Sequence, residues 1–137
     1  MTARKDHIKH ALHNEKICNY LGKNESHSDW VIITAFYSAL HFTRHLIVSE
    51  CLGGSGIVSF ENIFLQNKRY SDGRHGFQKY YINLHHPDIC FEYEKLHEWS
   101  MNARYNTHEY DRGTATKAKA YLKRIKEYVT SEKAKAV

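Results

Sequence analysis

The stretch DWVIITAFYSALHFTRHLIV, residues 29–48, decides how the rest of the chain must be arranged. Wound as a helix, Trp30, Val31, Ile32, Ile33, Ala35, Phe36, Ala39, Leu40, Phe42, Leu46 and Ile47 leave no wholly polar face. A helix apolar nearly all round belongs at the centre of a bundle. It nevertheless carries a thin polar line, Thr34, Ser38, His41 and His45, at i, i+4, i+7 and i+11, flanked by Tyr37 and Arg44. Polar groups inside a core cost free energy unless they are paired. Two readings follow: neighbouring helices satisfy this line, or the line walls a site. The same window is apolar enough to raise the question of a membrane span, and Ser38, His41, Arg44 and His45 within it argue against one.

On the N-terminal side, residues 1–22 read as a helix with an imperfect apolar face of Ile8, Ala11, Leu12, Cys18 and Leu21, stopped at Gly22. Residues 23–28 form a polar connector, and Ser28 or Asp29 is placed to cap the central helix. On the C-terminal side, LGGSG is a flexible break. Residues 57–64 read as an extended segment entering a short helix capped at Ser59, and KRYSDG as a turn. Helical spacing resumes over 73–84 with Phe77, Tyr80, Tyr81 and Leu84, until Pro87 breaks it. Residues 88–105 form a helix with Ile89, Tyr93, Leu96, Ser100 and Ala103 in one line and Trp99 beside it. After a turn over 106–113, Thr114 opens a last helix. Ala115, Ala118, Tyr121, Leu122, Ile125, Tyr128 and Val129 face inward there, and the lysines outward. The expectation is one all-α domain over 1–137, with 130–137 a basic, frayed tail.

The chain has 137 residues, enough for a single core, and a net charge of +5. The charge is uneven. From residue 112 onward, eight Lys or Arg stand against Glu127 and Glu132, giving +6 and leaving −1 for the remainder. Such an end suits an anionic partner or is simply a solvated helix face. Cys18, Cys51 and Cys90 are an odd count without metal-site spacing, as expected for reduced thiols in a cytoplasmic protein. The opening MTARKDHIKHALH holds no apolar run of the signal-peptide kind. His7, His10 and His13 lie among Lys5, Lys9 and Lys16, and His41 and His45 bracket Arg44. Cations beside both sets oppose metal binding, and no cofactor is expected. Gly53-Gly54-Ser55-Gly56 lacks the lysine and the preceding strand of a phosphate-binding loop.

Four runs carry a resemblance when taken in order: AFYSALHFTRHLIV, GRHGFQKYY, KLHEWSMNARYN and ATKAKAYLKRIKEYV. Together they resemble the helix signatures of HEPN-type domains over roughly residues 5–130. That resemblance implies an up-and-down bundle of four to five helices, often a homodimer. Many such domains are metal-independent ribonucleases of toxin–antitoxin or defence systems. Others bind nucleotides or accompany an antitoxin or nucleotidyltransferase partner without activity of their own. The ribonuclease members carry an Arg followed by a His. Here Arg104 precedes His108, with Tyr105, Asn106 and Thr107 between them, fewer than in the family's pattern.

The residues themselves suit that chemistry. Metal-free RNA cleavage needs a base, an acid and a cation. His titrates near neutrality, and Arg stays charged and can grip two phosphate oxygens. Arg104 and His108 are therefore the catalytic candidates. His41, Tyr37, Arg74, His75 and Tyr105 are candidates for phosphate or nucleotide contact, Arg74 and His75 because they open a helix. The competing reading is structural, with Arg104 paired to Glu109 or Asp111, His41 hydrogen-bonded to a Tyr hydroxyl or to Arg104, and Arg74-His75 a surface pair. The functional expectation is engagement of RNA or nucleotide phosphates, with or without cleavage. The rivals are a non-catalytic helical module that binds a protein or nucleotide, and a basic bundle that binds nucleic acid through its last helix.

Overall fold

The computed structural model describes residues 4–23, 27–51, 59–67, 73–105 and 110–131. Among them run six helices: α1 (Arg4–Leu21), α2 (Ser28–Glu50), α3 (Phe60–Gln66), α4 (Gly73–His85), α5 (Cys90–Tyr105) and α6 (Arg112–Val129). A 3-10 turn over Pro87–Ile89 precedes α5, and no strand occurs among the described residues. The protein is an all-α bundle. His108, Glu109, LGGSG, most of KRYSDG and the tail beyond Ser131 lie outside the described residues.

The all-round apolar helix takes the central position. α2 packs most extensively on α1, then on α6 and α5, and also meets α3 and α4. It is the one described helix long and apolar enough to cross a membrane, and 72% of that apolar window is buried by its neighbours. The main core joins Val31, Phe36, Leu40 and Phe42 of α2 to Ala11 and Cys18 of α1, Tyr93 and Leu96 of α5, and Leu122 and Ile125 of α6. A second cluster, Ile47, Val48, Phe60, Ile63, Phe64 and Phe77, joins the C-terminal end of α2 to α3 and α4.

Several local expectations need correction. Neither Ser28 nor Asp29 caps α2 from the position before it. His27 stands there without a side-chain cap bond, and Asp29 instead accepts the Tyr110 backbone N–H at 3.0 Å, pinning the entry to α6. α6 begins at Arg112 rather than Thr114, because Asp111 caps it by accepting from the Thr114 N–H at 2.8 Å. Ser59 does cap α3, accepting from the Asn62 N–H at 3.2 Å. Leu12, Tyr80 and Leu84, expected inside, are exposed, while His7 and Gln78 are buried in α1 and α4. Trp30 is 59% exposed. All three cysteines are free, and only Cys18 is fully buried.

Candidate functional site

The polar line of α2 divides between two faces. Towards α1 it is satisfied. Ser38, fully buried, donates to the Ala11 carbonyl at 2.7 Å. Thr34 bonds back to the Trp30 carbonyl at 2.7 Å. The His41 Nδ1 lies 3.1 Å from the His7 Nδ1. The two rings stack with centroids 5.4 Å apart, and His10 lies against His41 at 5.0 Å. Burial holds both imidazoles of the pair at a pKa of about 4, with Arg44 and His10 acting in the same direction on both, and His7 on His41. Thr34, Ser38 and His41 are thus part of the α1–α2 packing. The expected partners of His41, a Tyr hydroxyl or Arg104, are replaced by His7.

The flanking residues, Tyr37 and Arg44, turn towards α4 and α5. The Arg104 guanidinium lies 5.3 Å from the Tyr37 ring centroid and 4.6 Å from that of Tyr105, and it also donates to the Tyr105 hydroxyl. Among the described residues no carboxylate bonds it. Asp111, one expected acid partner, is used on the α6 N-terminus, and the other, Glu109, lies outside the described residues. A guanidinium stacked on aromatic rings and left without a counter-charge is a preformed seat for a phosphate or a base.

Next to it is an aromatic column that sequence reading missed in part. His75 of α4 stacks on His97 of α5 with centroids 5.2 Å apart, and both rings lie on Phe36 of α2, at 5.9 and 5.1 Å. Burial lowers the pKa of both imidazoles. His97, Arg44 and Arg104 add to this at His75, and Lys79 and Arg104 at His97. Both are therefore harder to protonate than a free imidazole. His97 was legible only as the residue between Tyr93 and Arg104 on one face of α5, at i+4 and i+11 from Tyr93. Without knowing which way that face turned, the spacing pointed nowhere.

The two residues expected to open α4 towards an anion separate. Arg74 is held by Glu61 of α3 through two hydrogen bonds, Nε to Oε2 at 2.8 Å and Nη2 to Oε1 at 2.5 Å, so its charge is answered within the fold. His75 turns inward. Gly73 starts the helix at φ +84°, a conformation that glycine adopts without the strain of a side chain. Deeper, Arg44 donates from Nε to the Gln78 carboxamide oxygen at 3.0 Å and lies 4.4 Å from the Phe60 ring centroid. On the outer side of α4 and α5 an open groove of about 560 Å³ runs past His97, Lys79, Phe91, Lys95, Glu98 and Met101.

The basic last helix is partly neutralised. Lys126 pairs with Glu15 and Arg124 with Glu92, each at 2.9 Å. No group of three or more His, Cys, Asp or Glu among the described residues is arranged to hold a metal ion. No family model, curated protein or solved structure matches this chain, so its chemistry is argued from the geometry above.

Proposed function

We propose that this protein is a HEPN-like domain that engages RNA or nucleotide phosphates on the face shared by α2, α4 and α5. The observation that carries this reading is Arg104, exposed, lying over the Tyr37 and Tyr105 rings, and bonded by no carboxylate among the described residues. Such a cluster offers charge to a phosphate and, in the exposed Tyr105 ring, a flat surface to a base in one place. His75 and His97 beside it, stacked 5.2 Å apart, supply imidazoles of the kind that metal-free cleavage of RNA requires, alongside or in place of His108. In a ribonuclease of this kind Arg104 holds the scissile phosphate while an imidazole takes the 2′-hydroxyl proton. A homodimer across this face, a toxin or defence role, a cytoplasmic location and an antitoxin or nucleotidyltransferase partner belong to the same reading.

One feature favours a second reading, a module that binds a protein. Phe91 and Met101 are exposed along the α4–α5 groove, a feature that suits an apolar partner. The two are separated by fluorescence anisotropy with a short single-stranded RNA, with cleavage followed in EDTA. Arg104→Ala should weaken RNA binding about tenfold or more, the range expected for losing one stacked, charged contact. Replacing Lys119 and Lys123 together should have a smaller effect. Equal affinities for wild type and Arg104→Ala, or a loss confined to the lysine variant, would refute the proposal. Binding without cleavage would make it a non-catalytic binder.

A further inference from the structure

A guanidinium removed from water needs something to answer its charge. Arg44 is half-buried, and burial is the main cause of its lowered pKa. Among the described residues its hydrogen-bond partner is a neutral one, Gln78, and its flat face lies on Phe60. Glu61 acts on it from a distance but is already gripped at both oxygens by Arg74. The fold therefore half-buries a cation and leaves it without an ion-pair partner among the described residues.

A second, independent observation lies around it. Among the described residues four buried side-chain polar atoms have no hydrogen-bond partner there: His7 Nε2, His75 Nδ1, the Tyr93 hydroxyl and the Ser100 hydroxyl. Orphaned buried groups are rare in folded proteins and call for an explanation. The first three belong to α1, α4 and α5, and the Arg44 charge acts on all three residues. His7 lies edge-on to Phe60, the ring that Arg44 covers. His75 is one turn before Gln78, which holds Arg44. Tyr93 and His75 both lie 5.9 Å from the Phe36 ring centroid. His7 is 2% exposed and Tyr93 1%. Each of these groups can donate: the guanidinium, two imidazoles in the appropriate tautomer, and a phenol. A set of donors around one unanswered positive charge is complementary to a multi-oxygen anion, and guanidinium geometry matches phosphate.

We propose that Arg44, with His7, His75 and Tyr93, forms a site for a terminal phosphate group, a monoester at the end of a nucleotide or RNA chain. A monoester carries more negative charge than the diester inside a chain, which suits an unanswered cation. The inference deepens the proposed RNA reading, since Arg104 and Arg44 both act on His75, so a chain stacked at Arg104 can place its end at Arg44.

The test is thermal unfolding of the full chain in inorganic phosphate against chloride at matched ionic strength, with adenosine 5′-monophosphate and adenosine as further arms. A ligand that binds only the folded state raises the melting temperature with saturation. Phosphate and the monophosphate should do so, the monophosphate at lower concentration, and adenosine should not. Arg44→Gln should abolish the rise. Because that variant alters a buried contact, His75→Phe serves as a second. It retains an aromatic ring against His97 and Phe36 and should weaken phosphate binding about tenfold. Arg104→Ala should keep the phosphate response while losing RNA affinity. No rise beyond chloride, a rise unchanged in both Arg44→Gln and His75→Phe, or a rise lost only in Arg104→Ala would overturn the site. A phosphate response without any RNA binding would leave the site standing and remove the exposed-face reading.

Discussion

Mild acid should loosen α1 from α2, and the His7–His41 pair sets how far. The two Nδ1 atoms face each other at 3.1 Å, so a single proton is shared between them and a doubly protonated pair would set two N–H groups head-on. His7 is surrounded by Arg44, His10 and His45, with Asp6 alone opposing them, and His41 by His7, Arg44 and His10. Both pKa values are lowered from 6.5 to about 4, with burial the largest cause. The sign follows directly. Between these values the unfolded chain binds protons that the folded chain does not, so stability is fully present above pH 6.5 and is lost as pH falls towards 4. One such imidazole accounts for a loss of about 2 kcal/mol between about pH 7 and pH 5. The pair together accounts for roughly 2–4 kcal/mol, less than a simple doubling because the His41 shift includes the charge of His7. The depressed carboxyls of Glu61 and Asp111 release their contributions only at more acid pH, which leaves this window to the histidines, with His75 and His97 acting in the same direction. Urea unfolding across the window measures the loss. His7→Phe keeps a ring on Phe60 and removes one titrating group, so its pH slope should fall by nearly one proton. A wild-type stability that stays flat from pH 7 to about pH 5, or a His7→Phe slope equal to the wild type, would refute this account of the α1–α2 contact.

Three further outcomes follow from the same structure. His86 is buried between Glu50, at 2.6 Å, and the Tyr128 hydroxyl, at 2.7 Å, and Tyr81 donates to the same carboxylate at 2.9 Å. His86→Ala removes one of the two hydrogen bonds to that mostly buried carboxylate, along with the one to Tyr128, and should cost about 1–3 kcal/mol in denaturant melts. Gly73→Ala meets open space but a φ of +84°, and should destabilise by about 1–2 kcal/mol through backbone strain alone. Arg104→Lys keeps the charge and loses the planar stack on Tyr37 and Tyr105. RNA anisotropy at fixed salt should show it nearly as weak as Arg104→Ala, and wild-type affinity in the lysine variant would mean that charge alone acts there.

What the chain determined by itself was the order of helices and the identity of the central one. Residues 29–48 are apolar nearly all round, which leaves a helix no surface to present to water, and Gly22, LGGSG and Pro87 interrupt periodicity where helices must stop. The inward faces of α5 and α6 were legible for the same reason, since Tyr93, Leu96, Ala118, Leu122 and Ile125 repeat at helical spacing and are buried. Weakly patterned helices were not. α1 and α4 turn His7 and Gln78 inward and leave Leu12 and Leu84 out, because partners far along the sequence answer those polar groups: His41 for His7, and Leu40, Thr43 and Arg44 for Gln78. The candidate site depended on the same long-range choices. Spacing marked Arg104 and His75 as chemically able, but His97, Arg44 and Tyr93 acquired meaning only once tertiary packing brought α2, α4 and α5 together. A helix's rotation about its own axis is set by everything packed against it, and a local pattern of mixed polarity leaves that rotation undetermined.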